Sequence, residues 1–492
     1  MQAAGILVYQ DLLPGISNVT LRMRYYGLYA WLSDTYADRA GQTDSDTWRR
    51  WVRRTEALYA LVAADAAQET GGVAGVDWAG KRLRAEGNGV LDFAAATETT
   101  GDNLYLKQGM GVFGGAYGSQ LHDVGVLGSA SGHDLPVPTE SIGIPLARAF
   151  RAAIGVEAEA LAIGAIETAR VARADLARLR SLLPSAIAPR SAESDLYEDI
   201  LFASSQTKGQ RRRDTLLLIL AVARLMGKAP DPADVRWTLF AAPPGSLGEP
   251  LEPVRLGWEA YHAHDLMQLA FAGLLRHSLD VLGADTAGLD PETLVNTAAD
   301  QAVEALFSIE DLAIAPTAVW AEMVAAAGLA SDPRALEKAL SGLRAPAAAP
   351  ASTIAGALRL IAAVQARAEA RTDLNTELAR RFRVGPFGRA LTTELAFLQA
   401  RGDMMVVNLT REVIAQRVIN RHVQVAAQKF VRQRDYTFLF EQVEGRLRRR
   451  GVYDPVLTTP RLGPAITFLR DLGLLDDGGP TAPGDARLDA AT

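Results

Sequence analysis

Leu121-His122-Asp123-Val124-Gly125-Val126-Leu127 returns near the other end of the chain as Leu469-Arg470-Asp471-Leu472-Gly473-Leu474-Leu475. The apolar positions stay apolar, and the Asp and Gly are identical. Each copy reads as the last turn of a helix, a glycine exit and the first residues of a strand. Glycine supplies the left-handed backbone that ends a helix at little cost. Behind the first copy, Gly128-Ser129-Ala130-Ser131-Gly132 and Leu135-Pro136-Val137-Pro138 suit a small hairpin or wing, and Glu140-Ser141 starts a helix through Ala152. Helix, wing, helix is the order of a winged-helix module. The expected fold is mainly α: a helical array with two small winged-helix-like α/β elements, within 115–152 and 436–478.

Helical signals dominate the rest. A Pro14-Gly15 turn precedes Ser17, which can cap a helix over 18–36 with Tyr25, Tyr29, Leu32 and Tyr36 on one face. A second helix follows Asp44-Ser45-Asp46, with Trp48, Trp51, Leu58 and Leu61 as its apolar side and Arg49, Arg50, Arg53 and Arg54 as its solvated side. The aromatic spacing reads as core and not as a ligand cage. From 71 to 118 glycines are dense and the helical period is mostly lost. Residues 155–345 read as a helical array, with buried helices over 215–226 and 258–282. Residues 344–350 form a linker or a helix–helix connection. The segments expected are 1–72, helical; 73–154, glycine-rich with the first winged element; 155–345, the array; and 346–492, basic, with a hairpin and the second winged element. Residues 485–492 read as a frayed tail.

With 492 residues, 49% apolar and 22% charged, the chain has material for two to four buried cores and does not resemble a disordered protein. Net charge is -6, so a nucleic-acid role must reside in a local patch. The chain has no cysteine, which removes disulfides, thiolate metal sites and cysteine nucleophiles together. No secretory leader is evident, and the most apolar run, 216–223, is too short to span a bilayer. A cytoplasmic protein with no membrane role is expected. Abundant Ala and Arg with few Lys suggest a GC-rich bacterial genome.

No complete catalytic motif is present, and no cofactor or metal is implied. His262 and His264 are two apart, so on a helix they point to different faces and grip one ion poorly. The glycines from 109 to 118 lack the Gly-Lys-Ser/Thr ending of a phosphate loop, and a flexible approach to the winged element is the simpler reading. Lys208-Gly209-Gln210-Arg211-Arg212-Arg213 is a basic run opening a helix, open to a phosphate or acidic partner or to none. The strongest candidate lies between 371 and 450, where 16 Arg and Lys meet 8 Asp and Glu. There, 410–432 is helical, Tyr436-Thr437-Phe438-Leu439-Phe440 is strand-like, and 446–450 could return as its partner or continue a helix. Thr458-Thr459-Pro460 starts a helix, proline favouring its first position. Lys429, Arg432, Arg434, Arg446, Arg448, Arg449, Arg450, Arg461 and Arg470 could flank duplex DNA, with Thr458 and Thr459 donating to phosphate.

Leu12-Leu13-Pro14-Gly15-Ile16-Ser17-Asn18-Val19-Thr20-Leu21-Arg22-Met23-Arg24-Tyr25-Tyr26 resembles the opening signature, PGIS-x4-R-x-RYY, of uncharacterised bacterial proteins associated with genome-defence and mobile-element neighbourhoods. The stretch from Gly111 to Leu127 resembles a second shared block. The resemblance covers about a tenth of the chain and implies a setting, not a reaction. The function expected is a non-catalytic DNA-associated or adaptor subunit of a bacterial multi-protein system, in phage or plasmid defence, with protein partners from the same operon. The alternatives are an enzyme with dispersed active-site residues, which converging carboxylates in a pocket would favour, and a docking scaffold without DNA contact, which an uncharged C-terminal surface would favour.

Overall fold

Both exit glycines stand where the repeat puts them. In the computed structural model, which describes all residues except 42, 67–70, 88, 203–206, 310, 311, 313, 386, 387 and 492, helix Gly118–Asp123 is followed by Gly125 at φ 75° and helix Leu462–Asp471 by Gly473 at φ 67°. The Val126 amide donates back to the Leu121 carbonyl, and the Leu474 amide to that of Leu469, each at 2.9 Å. This is the bond of a Schellman helix end. Antiparallel hairpins follow, pairing Leu127–Ser129 with Pro136–Pro138 and Leu475–Asp476 with Gly479–Pro480. A threonine then closes each element. Thr139 donates its hydroxyl to Gly125 O at 2.5 Å, and Thr481 to Gly473 O at 2.6 Å. Helices Gly143–Ile154 and Ala482–Asp489 complete the pair. A Cβ on Gly143 would collide with the Val126 carbonyl oxygen, and one on Gly484 with that of Leu474. The repeat therefore extends past its seven residues to a shared threonine and a second shared glycine. Residues 482–489, expected in part to fray, are helical and capped by Thr481, with Thr492 outside the described residues.

The chain divides into two compact units. One is Met1–Tyr9, Leu239–Ala241 and Leu256–Thr458; the other is Gln10–Thr238, Ala242–Arg255 and Thr459–Thr492. The second unit holds both repeat copies. Its central helix, Tyr25–Arg39, is buried along most of its length. The helix begins later than the expected 18, because the Ser17 amide donates to Thr20 Oγ1 at 2.8 Å and the Thr20 hydroxyl returns a bond to Ser17 O at 2.9 Å. Such side-chain bonds compete with helical ones. Tyr25, Tyr29, Trp48 and Trp51 are all core, as their spacing predicts. Two expectations change. Residues 76–86, read as lacking helical period, form helix Val76–Glu86. Arg53, assigned to a solvated face, is buried and donates to the carbonyls of Thr97, Glu98, Leu106 and Gln108, so it holds the 97–108 loop together. Arg54 likewise bonds the carbonyls of Ile166 and Glu167.

The first unit is a helical array centred on helix Ala351–Ala370, which packs against Pro291–Phe307, Trp320–Ala330 and Pro333–Ser341. The Trp320 indole N–H donates to Gln365 Oε1 at 2.8 Å, which satisfies both buried groups. Residues 344–350 connect two helices of this array. Helix Glu252–Ala284 contributes its part from Leu256 onward. The chain then runs through Leu391–Gln399, Val406–Glu412, a π-helical stretch Val413–Ile419 and Asn420–Gln433. The basic residues after it settle the strand-or-helix alternative as strand: Phe440–Val443 pairs antiparallel with Arg446–Arg449. Glu444 and Gly445 turn the hairpin with φ of 53° and 80°, the type I′ geometry that suits strand twist. The pairing begins at Phe440, later than the residue types of 436–440 suggest. The fold is mainly α, and among the described residues every sheet is a two-stranded one. Among these residues, no helix is long and apolar enough to cross a membrane.

Candidate functional site

The first unit contains a cavity of about 530 Å³. One wall is the long helix, whose residues Gln268, Phe271, Ala272 and Leu275 follow the i, i+3, i+4, i+7 spacing of a single face. These four are only half-buried, whereas Met267, Leu269, Ala270 and Leu274 between them are core. The opposite wall is the π-helical stretch and the helix after it: Arg417, Val418, Arg421, His422, Val425, Ala426 and Lys429. A π-turn adds a residue to the helical repeat, and such turns concentrate at functional sites. Arg389 and Glu394 come from the approach to and start of Leu391–Gln399, and Tyr436, Thr437, Phe438, Leu439 and Tyr453 close the remaining side.

The charge of this cavity is uneven. Arg389, Arg417, Arg421 and Lys429 line it, with Glu394 as the carboxylate among the described lining residues. Glu394 is 2% exposed and Arg417 10%, and Arg417 Nε stands 3.3 Å from Glu394 Oε2. The Arg417 guanidinium lies over the Phe397 ring, 3.9 Å from its centre. Neither Arg417 Nε nor Glu394 Oε2 makes a well-directed hydrogen bond, and buried Gln268 Oε1 has no donor. Arg417 Nε and Glu394 Oε2 therefore meet as an ion pair without a hydrogen bond, and Gln268 Oε1 is the further unsatisfied atom on this lining. Arg421 has a 3.4 Å bond to Gln424 Oε1 and, like Arg389, no carboxylate at ion-pair distance among the described residues. Burial lowers the pKa of Arg417 and Arg421 from their ordinary values, and the like charge of Arg389 adds to this. An anion here would relieve that repulsion. His422 accepts from the Leu439 amide at 3.0 Å, and its pKa is lowered by burial and by Lys429.

The residues proposed from sequence for DNA contact meet several fates. Lys429, Arg432 and Arg434 are exposed at the end of Asn420–Gln433 and just beyond it; Arg446, Arg448, Arg449 and Arg450 are on the hairpin of the same unit. Tyr436 ties these groups together, edge-on to Phe430 at 6.0 Å and beneath the Arg450 guanidinium at 5.1 Å. Arg446 donates to Gly288 O at 3.1 Å. Arg449 turns inward over Gly283, donates to Leu279 O at 3.4 Å and faces Asp280, so its role is to dock the hairpin. Arg450 pairs with Glu441 at 2.7 Å while staying exposed. Thr458 is not at a helix start. Its amide donates to Asp265 and its hydroxyl meets that of Tyr261. Thr459, Arg461 and Arg470 belong to the other unit. Thr459 is exposed, and Arg470 pairs with Asp477 at 2.7 Å. Arg461 is buried, in the left-handed conformation at the N-cap of Leu462–Asp471, with its amide on Asn18 Oδ1 at 2.7 Å and a guanidinium N–H on Leu13 O at 3.4 Å. Helix starts at Leu462 and not at Thr458, because Arg461 and Asn18 organise the turn before it.

Other sequence signals become internal architecture. The glycine-rich 109–118 segment does present converging amides to an anion, and that anion is the chain's own. The buried Glu56 carboxylate accepts from the amides of Val112 and Phe113 at 2.8 and 2.9 Å and from the hydroxyls of Tyr29 and Tyr105, both at 2.8 Å. Gly111, at φ 59°, has no room for a Cβ beside Glu56. In the basic run, Arg212 is buried against the carbonyls of Ile200, Leu201 and Pro14, while Arg211 pairs with Asp11. His264 uses both ring nitrogens on backbone groups.

The PGIS-x4-R-x-RYY segment lies between the two repeat copies in the second unit. Gly15 abuts Val124 of one copy. Arg22 makes bidentate contact with Asp471 of the other, and the Met23 amide donates to the same carboxylate at 3.0 Å. Tyr26 stands edge-on to Tyr117 at 6.0 Å and to Phe468 at 5.7 Å. Arg24 is fully buried in a two-bond pair with Glu193, each bond 2.9 Å. No protein-family model, curated protein or solved structure matches the chain. The cavity is not legible in the sequence, because its charged side chains come from two separate stretches, 389–394 and 417–429, and its other wall from the long helix. One signal was available: Arg417, Arg421, Val425 and Lys429 recur at four-residue spacing.

Proposed function

We propose that the chain is a non-catalytic, DNA-associated subunit of a bacterial multi-protein system, and that the first unit makes the contact. The observation that supports this is the exposed cationic set Lys429, Arg432, Arg434, Arg446, Arg448 and Arg450, gathered on one helix end and one hairpin of a chain whose net charge is -6. Guanidinium and ammonium groups on a rigid hairpin and helix suit phosphate oxygens on adjacent turns of a duplex backbone. The reading drops Arg449, Thr458 and Arg461, whose polar groups serve the fold, and gives no role to Thr459 or Arg470. The charged C-terminal surface is the opposite of what a scaffold without DNA contact would favour, and a cavity with one described carboxylate lacks the converging acids of the enzyme alternative. A place in phage or plasmid defence, with partners from the same operon, is proposed on the resemblance of the 12–26 segment. The test is duplex binding by the full chain and by a variant carrying Arg432→Glu, Arg434→Glu and Arg448→Glu. The variant should lose binding to unrelated sequences about equally. Unchanged binding refutes the assignment.

A further inference from the structure

We propose that the cavity of the first unit is a nucleotide site. It would hold a phosphate at Arg389, Arg417 and Arg421 and a nucleobase between the aromatic and aliphatic walls. Three independent features converge. The first is size: about 530 Å³ falls within the range of small-molecule sites. The second is charge. Glu394 offsets one guanidinium, Arg417, and leaves Arg389 and Arg421 without a carboxylate among the described residues. Lys429 adds a third, so the described side chains of the lining exceed their one carboxylate by three positive charges, enough to hold a phosphate monoester, which carries about -1.5 to -2 near neutral pH. The third is the polar inventory of the walls. Phe271, Phe438 and Tyr453 bring aromatic rings to the lining, and Gln268 stands in the wall with its Oε1 covered and without a donor.

A turn of the Gln268 amide into the cavity would expose that acceptor, which separates the ligand classes. A fatty acid would satisfy the arginines and the apolar walls but would bring no N–H or O–H to Gln268. A nucleobase or ribose brings both. The site shares only Lys429 with the DNA-contact set and does not depend on that reading, since Arg389, Arg417, Arg421 and Gln268 lie outside it.

The experiment is calorimetric titration of the full chain with AMP, GMP, CMP and UMP, beside the four matching nucleosides, inorganic phosphate and laurate. At least one monophosphate should bind, and its nucleoside and inorganic phosphate alone should each bind at least about tenfold more weakly, since a charge-assisted bond is lost in one case and the ring contacts in the other. Arg421→Glu should weaken the monophosphate at least about tenfold. Gln268→Leu keeps the arginines and should weaken the preferred base and level the ranking among bases. Circular dichroism confirms that both variants fold, and either variant alone decides the matter. The proposal is overturned if no monophosphate binds at millimolar concentration, if laurate binds and the monophosphates do not, or if either folded variant binds as the parent does.

Discussion

His264 makes the first unit acid-sensitive in a way that its geometry defines. The ring is 1% exposed and stacks on Phe382 with ring centres 4.4 Å apart. Nδ1 accepts from the Leu391 amide at 3.1 Å, so the proton of the neutral ring sits on Nε2, which donates to the Met1 carbonyl at 3.0 Å. Protonating Nδ1 would set one N–H against another in a buried site. Burial accordingly lowers the His264 pKa from 6.5 to about 3. The unfolded chain then binds the extra proton first, so stability is intact above pH 6.5 and is lost as pH falls toward 3. At pH 4.5 the difference is two units, or about 3 kcal/mol. His264→Phe keeps a stacking ring and removes the titration. It leaves the Leu391 amide unsatisfied, at a cost of about 1–3 kcal/mol at neutral pH. Urea unfolding of both chains at pH 7.5, 6.0 and 4.5 is the assay. The parent's advantage should be present at pH 7.5 and shrink by about 3 kcal/mol at pH 4.5. A gap that stays constant with pH would refute the reasoning.

Two further outcomes are expected from the second unit. Gly143→Ala and Gly484→Ala should each destabilise by about 1–3 kcal/mol, because the new methyl meets a fixed carbonyl oxygen; Gly164→Ala, on an open helical position, should stabilise by about 0.5–1 kcal/mol, and equal effects at all three sites in thermal melts would contradict the close-packing account. Arg24→Met should cost about 3–5 kcal/mol because it strands the buried Glu193 carboxylate, and the double change with Glu193→Gln should cost less than the two singles summed; strict additivity in denaturant unfolding would contradict this coupling.

The repeat was legible because its meaning is local: apolar spacing and one left-handed glycine decide a helix end whatever surrounds it. The continuation to Thr139 and Thr481 was hidden by hairpins of unequal length, which shift the matching threonine out of register. Burial of arginine is the least legible feature of the chain. Arg24, Arg53, Arg212 and Arg461 look like surface residues in sequence, and only the carbonyls and carboxylates around them, supplied by distant segments, make their burial affordable. The same physics removed Arg461 and Thr458 from the candidate interface, while Arg446, Arg448 and Arg450 stayed exposed because they alternate along the strand with buried Leu447 and with Arg449, which docks the hairpin. The cavity needed tertiary structure: its arginines point to one space only because the π-turn and the long helix bring them there.

Salt titration of duplex DNA binding by the full chain tests the central claim most directly. Six backbone contacts, from Lys429, Arg432, Arg434, Arg446, Arg448 and Arg450, should give a plot of log K against log salt with a slope of about -5, and unrelated sequences should fall on nearly the same line. Absence of binding at low salt, or a slope near zero, would contradict a DNA-associated role for this surface.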